Sequence, residues 1–229
     1  ENLKKLIEKK NPKDEIFDNI TSRHVNQYYS SIVKGLTAKV FRTYLATAVV
    51  KKYLVAHDNM KGKSATEKIY HAKLANLEAA MMCNHKRTIP KTFDESLQKK
   101  RDSLKKVEKE EAWKKTQLTL KKLEASEPKT DTQKKSKIKR IKTLNEQIKK
   151  QKIKHKERIE KLGFQINLSE KTKDYNIGTS LRNYIDPRVF KAWTDEVGAE
   201  WEKLYTSALQ KKFLWVKNEN AAWKDLKQN

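Results

Sequence analysis

Cysteine is nearly absent from this chain, with Cys83 as its single copy among 229 residues. One cysteine excludes an internal disulfide framework and a cysteine-based metal cluster, and it suits an intracellular protein. Glycine and proline are also scarce, at 5 and 4 copies. Few breakers predict long helices. No apolar run approaches the roughly 20 residues of a membrane-spanning helix, so no membrane role is expected. No secretory signal is visible. The chain opens at Glu1 without a methionine and reads as a fragment of a longer protein. Acidic residues are too few to balance the basic ones: 29 Asp and Glu stand against 53 Lys and Arg, leaving a net charge of +24. A surplus of that size points to a polyanionic partner.

What is present divides into three parts by composition. Residues 1–92 hold most of the mixed apolar content. Within them, Val40, Phe41, Tyr44, Leu45, Ala48 and Val49 recur at helical spacing and predict an amphipathic helix from Thr37 to about Tyr53. Ser64-x-x-Glu67 reads as a capping box opening a second helix. That helix passes Ile69, Leu74, Leu77 and Met81 and reaches about His85, with Pro90 barring continuation.

Residues 93–168 are different. Between Leu97 and Leu162 there are 24 Lys and Arg against 10 Asp and Glu, a surplus of +14 within the total of +24. Leu97, Leu104, Val107, Leu118 and Leu123 lie before a break at 125–133 containing Pro128. Ile138, Ile141, Leu144, Ile148, Ile159 and Leu162 follow it. The pattern predicts an antiparallel coiled-coil hairpin with a thin apolar seam, ending at Gly163. Residues 169–229 read as a small helical domain. Asp186-Pro187 supplies a helix start. Phe190, Trp193, Trp201, Leu204, Tyr205, Leu209, Phe213 and Trp215 supply a core, and Trp223 adds to the aromatic density. The expected fold is therefore mainly α: a helical subdomain, a hairpin linker and a small helical C-terminal domain.

The candidate chemistry centres on Y-N-I-G-T-S-L-R-N-Y-I-D-P-R at 175–188. Tyr184 lies there between Arg182, Asn183 and Arg188. A tyrosine hydroxyl is a poor nucleophile until its charge is stabilised, and nearby guanidinium groups can stabilise both a phenolate and a phosphate. Arg42, flanked by Phe41 and Tyr44, is suited to a bidentate clamp on phosphate oxygens. His85, in C-N-H-K-R at 83–87, could donate to a phosphate oxygen as charge develops. Each has a plainer reading on its own residues: Tyr184 as a half-buried surface tyrosine, Arg42 as a solvated helix arginine, His85 as a structural histidine on the face of Met81 and Met82. Cys83-x-His85 gives two ligands where zinc wants four, so no metal is expected. No glycine-rich phosphate loop is present, so no ATP or other cofactor is expected.

Taken together, L-T-A-K-V-F-R-T-Y (36–44), C-N-H-K-R (83–87), the long basic hairpin and S-L-R-N-Y-I-D-P-R (180–188), in that order, resemble the C-terminal part of eukaryotic-type DNA topoisomerases of class IB. Lys212, Phe213 and Trp215 match a further K-F-x-W of that family. The His-Lys-Arg form and the preceding L-A-N-L-E-A-A resemble its archaeal members more than its nuclear ones. The resemblance implies that Tyr184 is the nucleophile, with Arg42 and His85 on the phosphate, Asn183 adjacent, and Lys39, Lys86, Arg87, Arg182 and Arg188 near DNA. It implies ATP-independent relaxation of supercoiled DNA through a 3′-phosphotyrosyl intermediate, strand rotation and religation, in the compartment of the genome. The family's second catalytic arginine and its lysine acid have no match before Arg42, so the upstream core of the same enzyme is an expected partner and the isolated piece an inactive one. A tyrosine recombinase and a non-enzymatic basic coiled-coil binder of nucleic acid are the alternatives. Recombinases usually show H-x-x-R, which N-H-K-R does not reproduce.

Overall fold

The computed structural model describes residues 1–218; Trp223 lies outside the described residues. The fold is mainly α. It runs through α1 (Asn2–Ile7), α2 (Ser22–Ile32), α3 (Ala38–Ala56), α4 (Ala65–Met82), α5 (Phe93–Lys109), α6 (Trp113–Glu124), α7 (Asp131–Lys171), α8 (Ile177–Asn183), α9 (Pro187–Val197) and α10 (Ser207–Lys212). Extended pairing among the described residues is limited to one antiparallel bridge, Lys86 with Tyr175.

Helix α4 is the centre. Its Ser64 cap accepts from the Glu67 amide at 3.1 Å, as the capping-box pattern predicts. Ala72, Leu74, Ala75, Leu77, Ala79 and Ala80 are all buried, because α4 is flanked by α3, α7 and α8. Neighbours on several sides bury most of its length, and its alanines let them approach closely. The buried residues of α3 are Ala46, Val50 and Leu54. The expected apolar face of α3 is thus corrected at its N-terminal end. Val40, Phe41, Tyr44 and Leu45 are exposed, with Tyr44 at 67%, and only the later turns of α3 are covered.

The C-terminal aromatic residues share one core with α3 and α4. Trp193, Phe190, Trp201, Tyr205, Leu209 and Phe213 are buried in the same cluster as Ala46, Val50 and Ala79. Trp215, expected in the core, is 46% exposed, and its neighbour Val216 is fully buried instead.

The hairpin forms, with α5 and α6 both packed along α7, but it differs from expectation in three places. The first arm is broken: Glu110 is extended, and α6 restarts in a new helical phase. Leu120 therefore packs against Leu144 and Ile148 of α7, while Leu118 is exposed. Ile138, placed in the seam by its spacing, is 68% exposed near the tip. Gly163 does not stop the second arm. Helix α7 runs 41 residues to Lys171, a span of about 60 Å. Its last turns are held to α4 by the stacked rings of Tyr70 and Phe164 at 4.5 Å and by Tyr70 Oη donating to Asn167 Oδ1 at 2.5 Å. These anchors offset the roughly 1 kcal/mol that a mid-helix glycine costs.

Candidate active site

Tyr184 sits in a short joint between two capped helices. Asn176 opens α8 by accepting from the Thr179 amide. Tyr184 follows α8 as its C-cap, with its amide bonded to the Ser180 carbonyl at 2.9 Å. Two residues later Asp186 caps α9, accepting from the Arg188 amide at 2.9 Å, with Pro187 at the first turn. The Asp186 amide donates to Thr47 Oγ1 of α3 at 3.1 Å, and Ile185 is buried in the core. The tyrosine is therefore fixed on both sides by backbone geometry.

His85 is placed by the end of α4, but not on its face. Asn84 adopts a left-handed conformation, φ 52°. The Asn84 amide bonds to the Met81 carbonyl at 3.0 Å and the His85 amide to Ala80 at 2.8 Å. That pair of bonds is a Schellman motif, which turns the chain sharply off the helix axis. The expectation that His85 shares a face with Met81 and Met82 is thus corrected, since both methionines are exposed. Beyond the turn the chain runs beside residues 174–176. Arg87 N donates to Asp174 O at 2.9 Å and Asn176 N to His85 O at 2.7 Å. This pairing fastens the histidine segment to the residues that start α8.

Arg42 projects from the second turn of α3. Its guanidinium donates to the Cys83 carbonyl and lies 5.3 Å from the Tyr184 ring centroid. The Lys39 ammonium is 5.6 Å from the same ring, a distance at which a cation and an aromatic face attract. The rings of His85 and Tyr184 are 4.9 Å apart. His85 Nδ1 is 2.8 Å from Ser180 Oγ. Burial, and then the nearby Arg42 charge, hold the His85 pKa below the ordinary imidazole value, so the ring is neutral near pH 7 and carries one N–H. Three residues from positions 42, 85 and 184 thus meet at one place, with positive charge on two sides.

The remaining predicted residues divide by what already holds them. Arg87 donates to the carbonyls of Lys173 and Thr172, a role in fastening the loop. Arg188 forks onto the Asp186 carboxylate at 2.6–3.1 Å and lies 6.0 Å from the Trp215 ring. Lys86, Arg182 and Asn183 are exposed, and the Arg182 carbonyl accepts from Lys212 Nζ at 3.0 Å. Cys83 is buried and free. Among the described residues no group of three or more His, Cys, Asp or Glu could hold a metal ion, and no helix is long and apolar enough to cross a membrane. The sequence reading missed Ser180, Thr47 and Asn84. An asparagine directly after a helical run is a signal for a left-handed cap and could have located the turn before His85.

Two family models match the chain. The family described as eukaryotic DNA topoisomerase I, catalytic core, matches residues 1–118, and the C-terminal topoisomerase domain matches residues 156–225. Mitochondrial DNA topoisomerase I of Rattus norvegicus is 33% identical over 219 residues, covering 96% of this chain and 35% of that protein. DNA topoisomerase 1 of Caenorhabditis elegans is 35% identical over 215 residues, covering 94% of this chain and 24% of that protein. The Homo sapiens protein of the same name is 35% identical over 221 residues, covering 94% and 27%. The chain spans about a quarter to a third of the length of these curated relatives. The chain belongs to the eukaryotic DNA topoisomerase I family.

Proposed function

We propose that this chain is the nucleophile-bearing part of a type IB DNA topoisomerase and that Tyr184 attacks a backbone phosphate of one strand of duplex DNA. The phenol gives its proton to solvent as its oxygen bonds to phosphorus, the bond from phosphorus to the 5′ oxygen breaks, and that oxygen takes a proton from an acid on the upstream core and leaves as the 5′ hydroxyl. The broken strand rotates about the intact one, and the 5′ hydroxyl then reverses the attack. Because the phosphotyrosine conserves the energy of the phosphodiester, the cycle needs neither ATP nor a metal. Arg42 and His85 hold the non-bridging oxygens as charge develops there. Lys39, Lys86 and Arg182 face the same strand as a cationic rim, with Asn183 beside the nucleophile.

The observation that carries this reading is the convergence of Arg42 from α3, His85 from the turn after α4 and Tyr184 from the joint after α8. The basic hairpin of about 93–168 is then a linker against the rotating DNA, residues 1–92 the end of the catalytic core, and 169–229 the tyrosine domain. The exposed apolar turns of α3, with Tyr28 and Ile32 of α2 also exposed, are what a surface covered by the upstream core would look like. The site of action is the genome, nuclear in a eukaryote and in the nucleoid of an archaeon.

The test is Tyr184→Phe in the enzyme completed with its upstream core. The change removes one oxygen from a half-buried ring, so folding and DNA binding persist. The covalent adduct on a suicide DNA substrate disappears. An adduct of normal yield with phenylalanine at 184 refutes the assignment, because another residue is then the nucleophile.

A further inference from the structure

Ser180 is fully buried on α8, one turn before Tyr184. A helical serine commonly spends its hydroxyl on the carbonyl four residues back. Here Ser180 Oγ lies 2.8 Å from Nδ1 of His85, a residue 95 positions away. A neutral imidazole has one N–H and one lone pair, and the partner of one nitrogen decides which nitrogen carries the proton. His85 is kept neutral by burial and by Arg42, so it can serve a phosphate only from the nitrogen that holds its single proton. We propose that Ser180 is a positioning residue for His85: its hydroxyl donates to Nδ1 and holds the neutral ring in the Nε2–H form, leaving Nε2 as the donor to a phosphate oxygen.

The proposal rests on the reading of His85 as a phosphate donor, and it adds a coupling. Ser180 also accepts the Tyr184 amide through its carbonyl at 2.9 Å. The group that sets the histidine's proton and the backbone that caps the nucleophile are therefore one residue. A shift of α8 away from the end of α4 would displace the tyrosine and release the imidazole proton to either nitrogen in the same movement. Asn76 opposes such a shift, since its side-chain amide donates to the Ile177 carbonyl at 2.9 Å at the start of α8.

The first measurement needs no activity. Long-range proton–nitrogen spectra of the 229-residue chain with labelled histidine report the tautomer of each of its five histidines. His85→Gln identifies the resonances of His85. At a pH above the His85 pKa we expect the proton on Nε2 in the parent chain and in Ser180→Thr, and a mixed or Nδ1-protonated ring in Ser180→Ala. A proton on Nδ1 in the parent, or no change in Ser180→Ala, overturns the proposal. The second measurement is single-turnover cleavage by the completed enzyme. Ser180→Ala slows it about five- to tenfold, the worth of one hydrogen bond, Ser180→Thr restores it, and Ser180→Ala adds nothing in a His85→Gln background. Equal slowing in both backgrounds overturns the proposal. A tautomer shift together with normal cleavage by His85→Gln instead overturns the role of His85, and leaves the control of its proton by Ser180 standing.

Discussion

Removing the Asp186 side chain should loosen the joint beside Tyr184 by a predictable amount. Its carboxylate does two things: it caps α9 through the Arg188 amide, and it pairs with the Arg188 guanidinium. An N-cap of this kind contributes about 1 kcal/mol, within a range of roughly 0.5–2. The ion pair is discounted, because the Arg188 side chain is 45% exposed and such pairs are worth about 0–1 kcal/mol. Asp186→Ala should therefore cost about 1.5 kcal/mol. For a chain of this size that lowers the thermal midpoint by about 3–6 °C. Asp186→Asn keeps a cap oxygen and loses only the charge, so it should cost about 0.5 kcal/mol or less. The assay is thermal and urea denaturation of the chain followed by tryptophan fluorescence, which reports the α9 region through the fully buried Trp193. If the asparagine variant is as unstable as the alanine variant, the ion pair matters and the cap does not. If the alanine variant stays within a few tenths of a kcal/mol of the parent, α9 does not depend on its cap and the reasoning fails.

Gly163→Ala should stabilise the chain by about 0.5–1 kcal/mol, because the glycine is helical and an added Cβ meets nothing within 4 Å; a destabilised variant in urea unfolding would show that α7 bends there. In the completed enzyme Arg42→Ala should cut cleavage about 10²–10³-fold and His85→Gln less, since glutamine still offers one donor; single-turnover rates within a few fold of the parent for both would sink the active-site arrangement. Acidification should weaken the fold. His71 is held below its ordinary pKa by burial and then by His57, and His85 by burial and then by Arg42. The unfolded chain thus binds more protons than the folded one below about pH 6.5. Stability is full above that value and is lost as pH falls through the depressed values. Urea midpoints at pH 7.5 and 5.5 test it: the lower pH should give the lower midpoint, His71→Gln should reduce the difference, and a rise on acidification contradicts the sign.

Local signals were readable wherever one short segment decides the outcome. Ser64 with Glu67 and Asp186 with Pro187 open α4 and α9 as the sequence predicts, because a cap depends on four or five adjacent residues. Register was less readable. Leu118 and Leu120 are equally apolar, and only the break at Glu110 decides which of them meets α7. Gly163 reads as a stop from its own propensity, yet the docking of Phe164 and Asn167 on Tyr70 carries the helix on. The residue types of the site were legible through the order of three motifs. The contacts that hold them, Ser180 to His85 and Asp186 to Thr47, span 95 and 139 positions, and no local pattern announces a pair that far apart.

Helix α3 shows why its apolar pattern misled. Its buried residues, Ala46, Val50 and Leu54, all lie in the later turns, where α4 and α9 pack against it. The earlier turns present Val40, Phe41 and Tyr44 to solvent along with Lys39 and Arg42. Summed over its length, such a helix has no single apolar side, because its two halves face different surroundings. The division suits the proposed chemistry. The covered half is fixed to the core that also holds α9, and Thr47 at its start binds the Asp186 amide. The open half then delivers Arg42 to Tyr184 from a rigid base, without burying the guanidinium that a phosphate would need to reach. An arginine deeper in the helix would be held more firmly and would be shut away from DNA. One on a loop would be accessible and poorly aimed. Position 42, one turn before the buried stretch begins, meets both requirements.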